Sequence, residues 1–436
     1  MDYRFFAWDF SYFSAKVRAY LRYKQFAGEL QFEEILATRE VMEQYLLPAT
    51  GSIMVPQIED ADGLWLQDSS QIIDELEARH PQNPVVPSTP RQRLTSYLVE
   101  LLADEWLLPW AFWERWHYSL PHIEPNHGAY NAQQWGAVFA PGATGEQRRD
   151  IARTVFRDRM KIDEPEEAEF GPYAGIPQLG VTAKTEKAWT ESARHILSAL
   201  NVHYGKHDYL LGGRPSLGDF ALMGPLYAHL YKDPVTGFMM RTEFPFICEW
   251  IERCNGSPEA GSRSYSQTSY KVEDGQLKPF ADASDDGDWF KDDQVTDTVL
   301  TVVAVFFDEM WPVLKDSISI VRDFLASDLH DANVPIPGRS FFAPPQLRDL
   351  QTENGPLVHE FELRGTKEQR MVSPYQIWML GRMSDAMQPD FENSRANAIL
   401  AEFLAKFQNG EELLGLPERL IGSHLRKEFD LLYAVG

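Results

Sequence analysis

The chain has 436 residues, more than one hydrophobic core usually supports, so two or more packed units are expected. Its formal net charge of −24 disfavours nucleic-acid binding, because so acidic a surface repels phosphate backbones. The only two cysteines, Cys248 and Cys254, form no CxxC pair. They favour buried structural thiols over a disulfide scaffold, a zinc site or a redox centre, and no bound metal is predicted.

The first residues and the apolar stretches predict the compartment. The start Met1-Asp2-Tyr3-Arg4 lacks the basic region and apolar segment of a secretory signal. The most apolar stretch, Val299 to Phe307, is too short to span a bilayer. A cytoplasmic protein without a membrane partner is therefore expected.

The first 84 residues predict alternating strands and helices. Short apolar or aromatic runs indicate the strands, and apolar residues at helical spacing indicate the helices. The predicted elements are a strand at 3–8, a helix at 11–23, a strand at 30–36, a short helix at 39–46, strands at 52–58 and 63–66, and a helix at 69–79. The order β-α-β-α-β-β-α is typical of a mixed sheet with helices packed on it.

A proline-rich linker at 80–90 separates this unit from a mainly helical remainder, so the predicted fold class is α+β. Helices are predicted at 91–118, 146–160, 184–206, 216–231, 243–254, 295–328 and 391–408, with a loop at 119–145, a polar excursion at 255–294 and a small hairpin within 357–372. The predicted domains are 1–84, 91–260 with an insertion near 119–180, and a mostly helical extension, 261–436, packed on the second domain.

Polar residues at the start of two predicted helices are candidates for ligand binding. Ser11 lies between the first strand and the first helix, where unpaired backbone N–H groups favour an anion. Asp68 and Ser69 begin the helix 69–79, where a carboxylate can bind an ammonium group and a hydroxyl can bind a carboxylate. Helix capping alone also explains these residues, so the local pattern leaves both interpretations open.

Two further motifs occur at fixed places in the chain. Val55-Pro56 lies at the start of a strand, where proline need not donate to the ladder. Ser216-Leu217-Gly218-Asp219 has the spacing of a capping box at the start of an apolar helix, and we expect it to be structural.

In this order and at these separations, the motifs resemble those of serine-type glutathione transferases. The segments that carry the resemblance are Ser11 to Leu21, which is similar to the family's first helix, Val55 to Ile58 (V-P-x-L), Asp68 to Leu76 (E-S-x-x-I-x-x-Y-L), and the capping-box helix around Ser216. Asp68 replaces the commoner glutamate, Glu75 replaces a tyrosine, and Ser11-Tyr12 replaces the usual S-P. The resemblance covers residues 3–254 and leaves 255–436 unexplained.

The resemblance implies a thioredoxin-like glutathione-binding domain followed by a helical C-terminal domain, in a protein that forms homodimers. It implies that Ser11 donates a hydrogen bond to the glutathione sulfur and holds it as a thiolate, with Tyr12 as the alternative. The cysteinyl group would pair with the backbone of Val55, and the γ-glutamyl group would bind to Asp68 and Ser69. The implied glutathione-binding residues are Val55, Pro56, Gln67, Asp68 and Ser69.

Tryptophans mark the first helix of the second domain. Trp106, Trp110, Trp113 and Trp116 fall on one slowly rotating face of this helix. They form either a domain core or, for Trp106, Trp110 and Trp113, an aromatic wall that binds the second substrate.

The sequence therefore predicts an enzyme that joins glutathione to a hydrophobic or aromatic electrophile, or uses it to cleave an ether, halide or peroxide bond. The alternative is a non-catalytic protein of the same fold that binds ligands or acts as a scaffold. A glutathione-dependent thiol oxidoreductase would use a cysteine at the position of Ser11, where none is present.

Overall fold

The structure is a computed structural model that describes residues 1–120, 122–160, 176–256, 270–279, 287–328, 330–331, 334–336 and 358–435. Parts of the predicted insertion, of the polar excursion and of the extension lie outside the described residues, namely 161–175, 257–269, 280–286 and 337–357.

The N-terminal domain contains a four-stranded sheet in the order β2-β1-β3-β4. The strands are β1 (Tyr3–Ala7), β2 (Phe32–Leu36), β3 (Gln57–Asp60) and β4 (Trp65–Gln67). β1 pairs parallel with β2 and antiparallel with β3, which pairs antiparallel with β4. This topology confirms the predicted thioredoxin-like sheet.

Three helical segments complete that domain. They are Tyr12–Phe26, a segment made of Arg39–Val41, Met42–Leu46 and Leu47–Thr50, and Ser69–Arg79. β3 begins at Gln57, later than predicted, because residues 52–56 do not pair with the sheet. Instead, the Gln57 side-chain amide donates to the carbonyl oxygens of Ser52 and Met54.

A helical domain follows, as predicted. Its helical segments are Pro90–Leu101, Leu102–Trp106, Leu107–His117, Gly128–Phe139, Gly145–Met160, Pro177–Leu179, Glu186–Tyr204, Leu217–Met223, Gly224–Tyr231, Pro234–Glu243 and Pro245–Cys254. The prediction of a loop over 119–145 is wrong, since Gly128–Phe139 is a helix that buries Asn131, Trp135 and Val138.

The described residues beyond the helical domain include hairpins and helices. The hairpins are Tyr270–Glu273 with Gln276–Pro279, Val358–Leu363 with Thr366–Met371, and Leu425–Glu428 with Leu431–Ala434. The helical segments are Lys291–Asp293, Asp297–Val305, Phe306–Met310, Trp311–Leu325, Pro374–Glu392, Ser394–Leu404, Gly410–Gly415 and Leu416–Arg419. The hairpin predicted within 357–372 is confirmed, whereas the last hairpin, called the C-terminal hairpin below, was not predicted.

The capping box at Ser216 is present as predicted. The Asp219 carboxylate accepts from the Ser216 backbone N–H, and it also accepts from Leu210 N–H and from the Trp250 indole. A fully buried carboxylate with these donors fixes the start of the helix Leu217–Met223 against Trp250.

Lys16 connects the two domains through a buried ion cluster. Its Nζ lies 2.6 Å from both Glu100 Oε1 and Asp104 Oδ2, and 3.0 Å from Ser70 Oγ. Burial alone would lower the pKa of Lys16, but Asp104 and Glu100 outweigh it and raise that pKa. The first helix of the sheet domain is thereby tied to the first helix of the helical domain.

The helix Pro374–Glu392 packs against both domains. Arg382 donates to Asp74 at 2.5 Å and to Glu100 at 2.5 Å, and Arg93 pairs with Asp390 at 2.6 Å. This helix therefore covers part of the surface of the helices Ser69–Arg79 and Pro90–Leu101.

Both cysteines are buried free thiols. Burial raises the pKa of Cys248 to about 11 and places that of Cys254 well above its ordinary value. Within the described ranges, no group of three or more His, Cys, Asp and Glu side chains is placed to hold a metal ion. None of the helices in those ranges is long and apolar enough to cross a membrane.

Candidate glutathione site

Ser11 caps the helix Tyr12–Phe26. Its Oγ accepts the backbone N–H of Ser14 at 3.4 Å, and the side chain is half-buried. The hydroxyl therefore lies at the positive end of a 15-residue helix, where an anion is stabilised. Both helix capping and anion binding require a polar group at a helix N-terminus, so the capping role of Ser11 is compatible with a bound ligand.

The Tyr12 side chain belongs to the contact between the domains. It is 2% exposed, and its hydroxyl donates to the Ala103 carbonyl oxygen at 2.5 Å. The ring packs on Gly224 so closely that a Cβ there would lie 2.6 Å from it. Its hydroxyl is thus directed at the helical domain.

The Val55-Pro56 peptide bond is cis and immediately precedes β3. Val55 is half-buried, and within the described part of the chain its backbone N–H and C=O make no hydrogen bond. An extended peptide could therefore pair with this backbone as an added strand does.

Asp68 is the N-cap of the helix Ser69–Arg79, and both of its oxygens are engaged. Oδ1 accepts the N–H of Ser70 at 2.9 Å and of Gln71 at 3.3 Å. Oδ2 accepts the Tyr375 hydroxyl at 2.5 Å and lies 3.5 Å from Lys427 Nζ. Burial alone would raise the pKa of Asp68, but the Lys427 charge and the Tyr375 hydrogen bond outweigh it and lower that pKa.

Ser69, the first residue of that helix, is 2% exposed. Among the described residues no group forms a hydrogen bond with its hydroxyl, although it lies beside the helix N-terminus. A buried hydroxyl at the positive end of a helix suits a carboxylate ligand.

The Gln67 side chain contacts the C-terminal hairpin. Its Nε2 donates to Asp430, which also accepts from the Ser52 hydroxyl. Burial raises the pKa of Asp430, although Lys427 and these two hydrogen bonds act in the opposite direction. No sequence pattern indicated that Tyr375, Lys427 or Asp430 would lie here, more than 300 positions along the chain.

The predicted tryptophans lie in two environments. Trp106 and Trp110 are 1% exposed. They belong to the core, where Trp106 packs on Trp189 with ring centroids 4.7 Å apart and the Trp110 indole donates to Thr190. Of the three, only Trp113 retains partly exposed surface, and it stacks on His117.

A second aromatic cluster was not predicted. It joins Trp8 and Phe10, which precede Ser11 in the chain, to Trp135 and Phe139. Trp8 stacks on Phe10, and Trp135 lies against both, with ring centroids 5.3 and 5.4 Å away. Phe139 stacks on Trp135, which lies one turn before it on the same helix. The spacing of Trp135 and Phe139 was a helical signal, but the flanking Gly, Asn and Pro residues suggested a loop.

Glu114, on the same helix as Trp113, gives a pH-dependent prediction. Burial raises its pKa to about 8 against the lowering effects of Arg194 and Trp110. In the unfolded chain the Glu114 carboxyl has a pKa of about 4.3, so between that pH and 8 it is ionised when unfolded and protonated when folded. The free energy of unfolding therefore falls as the pH rises towards 8, by up to about 1.4 kcal/mol per pH unit. We expect Glu114→Gln to reduce this loss. The test is Tm measured from about pH 5.5 to 8, and equal declines in both proteins would contradict the prediction.

The sheet topology and the cis Val55-Pro56 bond define a protein with a thioredoxin-like domain joined to a helical domain. Residues 5–84 match the family model for the glutathione S-transferase N-terminal domain, and residues 170–258 match that for the C-terminal domain. These two matches support a member of the glutathione S-transferase family with a glutathione transferase-like function.

Several solved structures are similar to this chain. They include a glutathione S-transferase from Rhodospirillum rubrum F11 (13% identity, 65% of this chain and 98% of that one, TM-score 0.36), a beta-etherase from Sphingobium sp. strain SYK-6 (18%, 60% and 98%, 0.38), and a glutathione S-transferase from Methylobacterium radiotolerans in complex with glutathione sulfonate (20%, 63% and 100%, 0.36). Identities and TM-scores this low carry no argument about chemistry. No curated protein matches the chain.

Proposed function

We propose that this chain binds glutathione in its N-terminal domain and activates the thiol for attack on a hydrophobic or aromatic electrophile. The observation that carries the proposal is the matched N-terminal domain, within which Ser11, the Val55-Pro56 bond and the Asp68-Ser69 helix start all lie. The predicted homodimer and cytoplasmic location stay predictions.

Each polar group of glutathione has a proposed partner. The cysteinyl N–H and C=O pair with the backbone of Val55, and the γ-glutamyl carboxylate accepts a hydrogen bond from Ser69 at the helix N-terminus. The γ-glutamyl ammonium pairs with the Asp68 carboxylate, as an opposite charge favours the ionised form. With glutathione bound in this way, the thiol is proposed to lie at the start of the first helix.

Ser11 is the proposed thiol-activating residue. Its hydroxyl is half-buried at a helix N-terminus, whereas the Tyr12 hydroxyl donates to Ala103. A hydrogen bond from Ser11 to the sulfur stabilises the thiolate, and the thiol proton leaves to solvent. The sulfur then forms a bond to the electrophile, and the leaving group departs with the bonding electron pair.

The electrophile is proposed to bind against the aromatic cluster of Trp8, Phe10, Trp135 and Phe139. Trp8 and Phe10 precede Ser11 in the chain, and the cluster joins them to Trp135 and Phe139. Phe10 and Trp135 are buried, whereas Trp8 and Phe139 keep partly exposed flat apolar surface. Of the tryptophans predicted for this role, Trp113 keeps accessible surface and Trp106 and Trp110 do not. Ether, halide and peroxide bonds all remain candidates for cleavage.

Ser69→Ala tests the ligand site. Loss of a hydrogen bond to the ligand carboxylate is expected to weaken glutathione binding about 10-fold or more. The measurement is the Kd of glutathione by calorimetry, with retention on immobilised glutathione as a second readout. Ser394→Ala is a matched control, because Ser394 also follows an Asx N-cap at a helix start.

Equal Kd values for Ser69→Ala and Ser394→Ala would show that Ser69 does not bind the ligand. Binding of glutathione without turnover of an aryl halide or a hydroperoxide would instead identify a ligand-binding or scaffold protein.

A further inference from the structure

The C-terminal hairpin, residues 425–434, contacts the residues that we propose bind the γ-glutamyl group. We infer that this hairpin occupies the γ-glutamyl end of the glutathione site and must move aside before glutathione binds. The inference rests on the proposed function, because it assigns a regulation to that same site.

The hairpin brings a cation to the proposed ammonium partner. Lys427 Nζ lies 3.5 Å from Asp68 Oδ2 and 3.4 Å from the side-chain oxygens of both Gln67 and Gln71. The Lys427 side chain is 3% exposed, so it is buried at this contact. An alkylammonium group thus already holds the place proposed for the ligand ammonium.

The hairpin also brings an anion. The Asp430 carboxylate accepts from Gln67 and from Ser52 and is buried between them. The γ-glutamyl group of glutathione carries one ammonium and one carboxylate on a single carbon. Lys427 lies at Asp68, the proposed ammonium partner, and Asp430 contacts Gln67, another implied glutathione-binding residue. The hairpin thus brings a cation and an anion to the end of the site proposed for a group that carries both.

The contacts of Asp68 explain why Lys427 and the ligand ammonium would compete for it. Its Oδ1 accepts two backbone N–H groups that cap the helix, and its Oδ2 faces Tyr375 and Lys427. A ligand ammonium can reach this carboxylate only where Lys427 now lies. Oδ2 already has the Tyr375 hydroxyl and the Lys427 ammonium as partners, so the ligand ammonium and Lys427 compete for the same position.

The hairpin is a small element at the end of the chain. Its two strands have four residues each, and a two-stranded hairpin of this size has little stability of its own. Leu425 and Leu432 are its buried anchors, whereas Arg426 and Glu428 pair with each other on the exposed side. Tyr375 lies on a separate helix that Arg382 fixes to the body of the protein, and so it can stay in place.

The test measures the Kd of glutathione sulfonate for the full chain and for three single variants. Asp430→Ala and Lys427→Ala remove the anion and the cation that the hairpin brings, and we expect both to bind the probe about 10-fold more tightly, because a larger fraction of molecules has an open site. Arg426→Ala is the matched control: it removes a charge from the exposed side of the same hairpin and should leave Kd unchanged. Thermal unfolding shows that each variant is folded.

Hydrogen exchange of the backbone amides of 425–434 provides a second readout. Addition of the probe to the wild-type chain should speed exchange in this segment if the hairpin is displaced. Slower exchange, or weaker or unchanged binding by both Asp430→Ala and Lys427→Ala, would overturn the inference and leave the proposed function intact. Failure of the probe to bind any of the four proteins would overturn the proposed function as well.

Discussion

Replacement of Lys16 by methionine is expected to destabilise the folded chain by about 3–5 kcal/mol, because it removes one partner of a buried ion cluster. Methionine fills a similar volume but leaves the Asp104 carboxylate without its ammonium partner at 2.6 Å. Glu100 loses the same partner and keeps Arg382.

The free energy of unfolding from urea titration, at neutral pH, checks this prediction. Arg39→Met is the matched control, because Arg39 pairs with Glu43 at 2.8 Å on an exposed helix surface. Exposed pairs contribute little, and the control should fall within about 0.5 kcal/mol of the wild type. A Lys16→Met variant as stable as Arg39→Met would show that the cluster does not join the domains energetically.

Ser11→Ala is expected to lower kcat/KM by roughly 10–100-fold near pH 6.5 and much less above pH 9. A free thiol with a pKa of about 8.5 is only about 1% ionised at pH 6.5, so a site that stabilises the thiolate has its largest effect there. The predicted signature is a pH–rate profile displaced to higher pH, measured with glutathione and an aryl halide. Ser11→Thr, which keeps the hydroxyl, should restore much of the activity.

Loss of a helix cap must be separated from loss of a catalytic hydroxyl. Thr38→Ala is the matched control, since Thr38 also caps a helix of the sheet domain by accepting a backbone N–H three residues later. Both alanine variants should lose about 1 kcal/mol of stability, but only Ser11→Ala should displace the pH profile. The same displacement in both, or in neither, would remove Ser11 from the mechanism.

The sheet domain was predictable because its signals are local. The short aromatic and apolar run at 3–8, helical spacing at 11–23, and the polar start of 69–79 each identify an element from neighbouring residues alone. The helix Ser69–Arg79 agrees with the prediction at both ends. The capping box at Ser216 was equally local, since its partners lie three residues apart.

The contacts around Asp68 were not predictable in this way. Tyr375, Lys427 and Asp430 reach the site through the packing of a helix and a hairpin from the far end of the chain, and no spacing in the sequence indicates such contacts. The helix Gly128–Phe139 was missed for another reason. Its glycines and the polar residues around it favour a loop, but burial of Trp135 outweighs that local preference.

The two buried thiols have a consequence for chemistry in a glutathione-rich solution. Cys254, whose pKa is raised well above its ordinary value, stays protonated where glutathione is partly ionised, and Cys248 does so up to about pH 11. Neither sulfur is then an effective nucleophile towards oxidised glutathione, peroxide or an alkylating substrate. We therefore expect Ellman-type assays to report consumption of the small thiol without a background from the two cysteines of the native chain.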